Sequence, residues 1–134
     1  MLAFSSLIRR TTHLYGNRVA TVMGERQHTW TETLARVSRL AAGLVGLGLK
    51  EETRVAILAL NSDRYFEYNF AVPWAGGVFV PINTRLAVPE VVYWLTDSDS
   101  EVLFIDKNFA PILDELRAQV PALREVVYID DDTP

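Results

Sequence analysis

Four apolar runs of strand length recur along this chain at intervals of roughly two dozen residues: Arg54-Val-Ala-Ile-Leu-Ala-Leu60, Val78-Phe-Val80, Val102-Leu-Phe-Ile105 and Val126-Val-Tyr-Ile129. None alternates apolar with polar, so none suits a sheet with one wet face. Continuous apolar runs of this length belong to parallel strands covered on both faces. Helical stretches separate them. Asn61-Ser62-Asp63 offers caps to a helix over Arg64 to Ala75, which Pro73 kinks or shortens and Gly76-Gly77 closes. Pro89 fits the first turn of a helix that carries Val91, Val92 and Leu95 on one side and ends at Asp97 to Asp99. Ala110 to Val120 reads as a third, bounded by Pro111 and Pro121. The alternation is the βαβ rhythm of right-handed crossovers. The expected fold class is α/β: an open, mainly parallel sheet with helices on both faces.

The segment before the first run is organised differently. Leu7, Ile8, Thr11 and Leu14 fall at helical spacing ahead of Gly16-Asn17, which predicts a short amphipathic helix. Val19-Ala-Thr-Val22 and Gln27-His-Thr-Trp30 then flank Gly24 and read as a small hairpin. Thr29-x-x-Glu32 has capping-box spacing, and Leu34, Val37, Ala41 and Leu44 recur every three or four residues behind it, so a helix from about Thr31 to Leu47 follows, with Gly48 as its stop. Glu32 and Arg36 stand four apart, and Arg36 and Arg39 read as a solvated helix face.

Length and charge narrow the function classes. At 134 residues with 49% hydrophobic content, the chain is one domain, 1–134, with an ordinary core. Its 13 Lys and Arg against 17 Asp and Glu leave a net charge of -4, so no nucleic acid partner is expected. The absence of Cys removes disulfides and thiol nucleophiles and points to a cytoplasmic location. Arg9-Arg10 follows an apolar start, the reverse of a secretory signal, and the Phe70 to Ile82 run is too short and too interrupted to span a bilayer. A soluble protein without a membrane span is expected. The acidic run Asp130-Asp-Asp132 reads as a linker or a cut end.

Motifs that carry chemistry fail one after another. Gly43-x-x-Gly46-x-Gly48 sits at the end of a helix, in the wrong order for a dinucleotide fingerprint, and reads as helix packing and termination. No Gly-Lys-Ser or Gly-Lys-Thr exists for a P-loop, and no Ser stands between two Gly as a nucleophile elbow requires. His13 and His28 lack ligand spacing, and Asp97, Asp99 and Glu101 lack the loop of a calcium site. Trp30, Trp74 and Trp94 with Tyr65, Phe66, Tyr68 and Phe70 read as an aromatic core. The candidates left are Asn83 and Arg85, polar residues at the carboxyl end of Val78-Phe-Val80, where open α/β sheets place ligands. Fixing the loop by hydrogen bonds is the more frequent role for residues so placed.

An ordered set of short motifs goes further: Thr29-Trp-Thr-Glu32, Leu44-x-x-Leu47-Gly-Leu-Lys50, Arg54-Val-Ala-Ile57, Asn61, Phe70-Ala-Val-Pro73, Gly76-Gly-Val78, Pro81-Ile-Asn-Thr-Arg-Leu86, Glu90, Tyr93-x-Leu95-x-Asp97-Ser98 and Phe104-Ile-Asp106. Together they resemble the amino-terminal stretch of the AMP-forming acyl-CoA synthetases, leaning toward fatty-acyl ligases. One departure is that Glu52-Thr53 stands where the family usually has Gly-Asp before Arg-Val. The resemblance implies a carboxylate, fatty or other, that attacks the α-phosphate of ATP, and a thiol, usually coenzyme A, that then displaces AMP. ATP, Mg and CoA are thereby implied for a full enzyme. The family's phosphate loop, adenine segment, ribose Asp and carboxyl-terminal Lys lie downstream of the matching region and have no counterpart here. The chain therefore resembles the first quarter of such an enzyme, with no catalytic, cofactor-binding or metal residue of its own and with the rest of its polypeptide as partner.

Two other classes stay open. A stand-alone α/β module that binds a partner or a small ligand fits the size, although a phospho-acceptor version would need acids that Arg54 to Leu60 lacks. Self-association is also expected, as a homodimer through the apolar Phe70 to Leu86 stretch, with Trp74 and Phe79 at its surface.

Overall fold

The computed structural model describes residues 4–130, so Met1 to Ala3 and the Asp131 and Asp132 of the acidic run lie outside the described residues. The described chain forms two compact units: one holds residues 4–51 together with Asn61–Gly76, the other Glu52–Leu60 and residues 77–130.

The first unit is helical with a hairpin. Helix α1 (Phe4–Tyr15), strands β1 (Val19–Met23) and β2 (Arg26–Thr29), and helices α2 (Trp30–Gly46) and α3 (Asp63–Trp74) compose it. β1 and β2 pair antiparallel up to Met23 and Arg26, and Gly24 turns between them with φ 61°. The expected second strand ran through Trp30, but Trp30 is the first residue of α2. The capping box takes over there: Thr29 Oγ1 accepts the Glu32 N–H at 3.2 Å, while the Glu32 carboxylate accepts the Thr29 N–H at 2.7 Å. At the other end the Gly48 N–H reaches the Val45 carbonyl and the Leu49 N–H that of Leu44, a Schellman closure that needs the left-handed φ of 84° at Gly48. Ser62 caps α3 by accepting the Tyr65 N–H at 3.1 Å, and Pro73 is accommodated in the last turn of a helix that runs to Trp74, with Ala75 as its cap and the left-handed Gly76 closing it. Ile8, Val37, Ala41 and Ala71 are buried together, with Trp30, Phe70 and Trp74 packed around them. Rings run edge to face from Trp30 to Phe66 to Phe70.

The second unit is the parallel sheet. Strands β3 (Arg54–Leu58), β4 (Val78–Pro81), β5 (Ser100–Asp106) and β6 (Glu125–Ile129) lie in the order β4-β3-β5-β6, every pair parallel. All four expected runs are in it. Helix α4 (Val88–Asp97) and helix α5 (Leu113–Gln119), the latter entered through a 3-10 turn at Ala110–Ile112, cover one face. There Ala56, Leu58, Leu103 and Ile105 pack with Val91, Leu95 and Leu116. The alternate residues Val55, Ile57, Val102 and Phe104 point the other way and are equally buried, as parallel strands require. Trp94 departs from the expected aromatic core: it is 47% exposed beside Tyr93, because Val91 and Leu95 take the core face of α4.

Small residues separate into those that need their size and those that do not. A Cβ on Gly16 would lie 2.9 Å from the Thr12 carbonyl oxygen, whereas Cβ atoms on Gly43 or Gly46 would meet nothing within 4 Å. The expected packing role of Gly43 and Gly46 is thus corrected: only the termination at Gly48 uses glycine. Glu52 takes φ 64°, the left-handed backbone that glycine adopts freely, at the place where the resembling family has glycine. Urea unfolding midpoints should therefore rise for Gly43→Ala by the equivalent of about 0.5–1 kcal/mol. Glu52→Gly should also raise them, by up to about 1 kcal/mol. Gly16→Ala should lower them by about 1–3 kcal/mol.

Candidate functional site

Open parallel sheets offer ligands the loops at the carboxyl ends of their strands. In the sheet unit these loops follow β3, β4 and β5, and one carboxylate organises two of them. Asp106, the last residue of β5, is fully buried. Its carboxylate accepts the Leu60 N–H at 2.8 Å, the Asn108 N–H at 2.9 Å and the Asn108 Nδ2–H at 3.1 Å. With three donors satisfied and no access to solvent, it staples the loop after β3 to the loop after β5. The motif Phe104-Ile-Asp106 is plain in the sequence and Asn108 serves Asp106 from two residues away, but the Leu60 amide stands 46 residues back along the chain, and no sequence pattern encodes that contact.

The loop after β4 carries the two residues singled out from sequence. Asn83 Oδ1 accepts the Arg85 N–H at 2.9 Å, an Asx-type turn that leaves both residues exposed. Asn83 thereby fixes the loop, and the Arg85 guanidinium projects from an ordered turn. The Glu90 carboxylate closes the far side of the loop by accepting the Ala87 N–H at 2.8 Å.

The helical unit holds a buried charge cluster that sequence reading missed. Arg26 grips Asp63 in a fork, Nε to Oδ2 at 2.7 Å and Nη2 to Oδ1 at 2.6 Å, with the Asp63 side chain 1% exposed. Arg36 pairs with Glu67 through two guanidinium nitrogens. This corrects the solvated face: Arg39 is exposed, but Arg36 turns to a carboxylate on α3, and Glu32 is occupied by its cap. His28 Nδ1 lies 3.6 Å from Asp63, and Arg64 Nη1 is 3.9 Å from both acids. A signal was available, since Glu67 sits inside the aromatic run Tyr65 to Phe70, where a carboxylate must find a cation. Burial pushes the Asp63 carboxyl up, but the hydrogen bond and charge of Arg26, aided by His28 and Arg36, outweigh it and hold the group below its ordinary 3.8. For Glu67 burial prevails over Arg36 and raises the group above 4.5.

Two shallow recesses mark the surface of this unit. One of about 290 Å³ lies between β1 and the start of α3, lined by Thr21, Val22, Met23, Asn61, Ser62, Asp63 and Phe66, and one of about 520 Å³ lies around Thr12 to Arg18. Asp63 is committed to Arg26, so the first recess offers no free acid. Among the described residues no group of three or more His, Asp or Glu is placed to hold a metal ion, and no helix is long and apolar enough to cross a membrane. The acids buried among the described residues, Asp63, Glu67 and Asp106, are each engaged by structural partners.

The paired charges make opposite contributions with pH. Asp63, with its lowered pKa, contributes stability above pH 3.8 that is lost as pH falls through the lowered value. Glu67, with its raised pKa, costs stability at neutral pH and returns it on acidification toward 4.5. Asp63→Asn should therefore cost about 3 kcal/mol at neutral pH by stranding Arg26, and Glu67→Gln less. Urea midpoints at neutral pH and below pH 3.8 check this, the gap between parent and Asp63→Asn narrowing in acid.

Comparison with known proteins places this scaffold. The sequence matches the AMP-binding enzyme family over residues 8–134. It is 35% identical over 116 residues to the peroxisomal butyrate–CoA ligase AAE11 of Arabidopsis thaliana, covering 87% of this chain and 20% of that protein. A long-chain-fatty-acid–CoA ligase of Thermus thermophilus is 35% identical over 106 residues, covering 79% of this chain and 20% of the ligase. The inhibitor-bound N-terminal domain of FACL13 from Mycobacterium tuberculosis matches with a TM-score of 0.91 at 30% identity, over 97% of this chain and 34% of that one. The chain spans about a fifth of the length of the curated relatives it matches. With the family matched from the first helix to the last residue, and the strand and helix order shared with a solved relative, the chain belongs to the AMP-binding enzyme family.

Proposed function

We propose that residues 1–134 are the N-terminal subdomain of the large adenylate-forming domain of an acid:thiol ligase, and that they act as scaffold for its chemistry. The family match over residues 8–134 carries this reading. The relatives' names support an acyl-CoA ligase acting on a carboxylic acid, and butyrate and long-chain fatty acids both occur among them. In that reaction a carboxylate oxygen attacks the α-phosphorus of ATP, pyrophosphate leaves, and the thiol of coenzyme A then attacks the acyl carbon and expels AMP. Attachment of AMP supplies the leaving group that a bare carboxylate lacks. ATP, magnesium and CoA belong to the full enzyme, as does the acid. A cytoplasmic location accords with the cysteine-free sequence.

The residues of this chain do not fit an ATP or magnesium site of their own. Asp106 is saturated by three donors, Asp63 and Glu67 are held by arginines, and no Ser/Thr/Gly-rich phosphate loop occurs in the sequence. Its proposed contribution is to hold the carboxyl-end loops of β3, β4 and β5 in register, with Asn83 shaping one loop and Arg85 presented from it. The rest of the same polypeptide is the proposed partner.

The 134-residue chain is accordingly expected to release no pyrophosphate from ATP with magnesium and a panel of carboxylic acids, and to show no saturable ATP binding by calorimetry. Micromolar ATP binding would overturn the scaffold reading and favour a small-ligand module. Self-association into a two-fold pair through the Phe70 to Leu86 stretch belongs to the same proposal; Trp74 packs on the core of the helical unit and Phe79 is half-buried, so the support within that stretch comes from Val78, 45% exposed at the start of the edge strand β4. Sedimentation equilibrium over a hundredfold concentration range should show a reversible monomer–dimer equilibrium, and a strict monomer would refute it.

A further inference from the structure

The first 24 residues contain Arg9, Arg10 and Arg18 and no Asp or Glu, in a chain whose net charge is -4. The same stretch leaves large apolar side chains in water: Leu7 is 48% exposed and Leu14 56% on α1, and Val19 and Val22 are exposed on β1. Leu7 and Leu14 stand seven residues apart, two turns of helix, and so share one flank of α1. Arg10 is three residues after Leu7 and four before Leu14, which sets its exposed guanidinium beside both leucines. Ile8, 1% exposed, anchors the helix to the unit from a neighbouring face, so the flank is presented by a docked helix. At the end of α1 the Arg18 guanidinium stacks 5.1 Å from the Tyr15 ring centre, and Tyr15 is 46% exposed.

Of the unit's acids, Glu25 in the hairpin turn and Glu51 after α2 are exposed and lie outside the first 24 residues, and the other three are engaged elsewhere. Glu32 is engaged in the cap of α2, Asp63 is forked by Arg26 and Glu67 is held by Arg36. A leucine pair beside an arginine, with a tyrosine and a second arginine at the helix end, is the pattern of an interfacial helix: leucines enter the acyl boundary, the aromatic ring sits at the headgroups, and guanidinium groups bind phosphates in a fork. A second copy of the chain is a poor occupant, because a two-fold contact would set two acid-free cationic flanks against each other. We propose that the Leu7, Arg10 and Leu14 flank of α1, with Tyr15 and Arg18, seats this chain on an anionic lipid surface.

Co-sedimentation of the 134-residue chain with phosphatidylcholine vesicles, with and without about 30% phosphatidylglycerol, tests the proposal. Binding is expected to the anionic vesicles only, and to weaken as salt rises from about 0.1 M to about 0.5 M. Arg10→Gln should weaken it about fivefold. Leu7→Gln and Leu14→Gln should each weaken it about tenfold or more. These positions are exposed, so unchanged urea midpoints should accompany the losses, and the salt dependence of the parent stands even for a variant that folds poorly. Absence of binding to anionic vesicles, equal binding to neutral ones, or binding indifferent to Arg10→Gln and to Leu14→Gln would each overturn the proposal. So would a lipid-free dimer abolished by Leu7→Gln, which would give the flank to a second copy, or capture of polyglutamate with the same variant sensitivity and no vesicle binding, which would give it to an acidic protein.

Discussion

β3 and β5 lie side by side at the centre of a parallel sheet, and from Val55 to Leu58 and from Val102 to Ile105 no residue on either face is more than 3% exposed. Strands buried in this way tolerate no unpaired polar group, so polar residues are driven to their ends. Arg54 opens β3 and Asp106 closes β5. Asp106 remains fully buried only because two backbone amides and one carboxamide arrive to satisfy it. The ordered carboxyl-end loops are thus a consequence of the dry sheet: the residue that ends the strand must find donors, and the donors it finds belong to the loops.

The helical unit answers a related demand with charges. Asp63 and Glu67 lie on α3 one turn apart, where two buried carboxylates repel each other and lose their water. One guanidinium comes from the hairpin and another from α2, so the ion pairs tie three elements at once. The two acids fare differently because Asp63 gains a clean fork, whereas Glu67 feels both its burial and the charge of Asp63. Such pairs are seldom large net contributors to stability, but they are costly to break singly, which makes the arrangement of hairpin, α2 and α3 selective.

The functional reading follows from what these groups are occupied with. Every buried acid in either unit is consumed by a structural partner, as expected of a scaffold that serves an active site built elsewhere in the polypeptide. The surface of α1 has a different character, with apolar and cationic side chains side by side and no acid near them in sequence. The named relatives include a butyrate–CoA ligase and a long-chain-fatty-acid–CoA ligase.

The sequence by itself determined the elements. The continuous apolar runs mark the strands of a parallel sheet, and the capping box at Thr29, the cap at Ser62 and the stop at Gly48 act within a few residues of chain, so each was legible from spacing; that β3 and β5 are dry on both faces while β4 and β6 leave Val78 and Tyr128 exposed was not. The departure at Glu52 was legible too, though its cost appears only in the positive φ. Tertiary structure decided the strand order β4-β3-β5-β6 and the fate of individual side chains. Arg36 reads as solvated on a helical wheel because its partner stands 31 residues away, and the burial of Asp106 leaves no mark in the sequence because the Leu60 amide that helps to hold it is 46 residues away. Trp94 reads as core because an aromatic ring pays for burial wherever room exists, and α4 had already given that face to Val91 and Leu95. Local hydrogen bonds leave a pattern at fixed spacing, whereas long-range ones depend on which elements become neighbours, and only packing settles that.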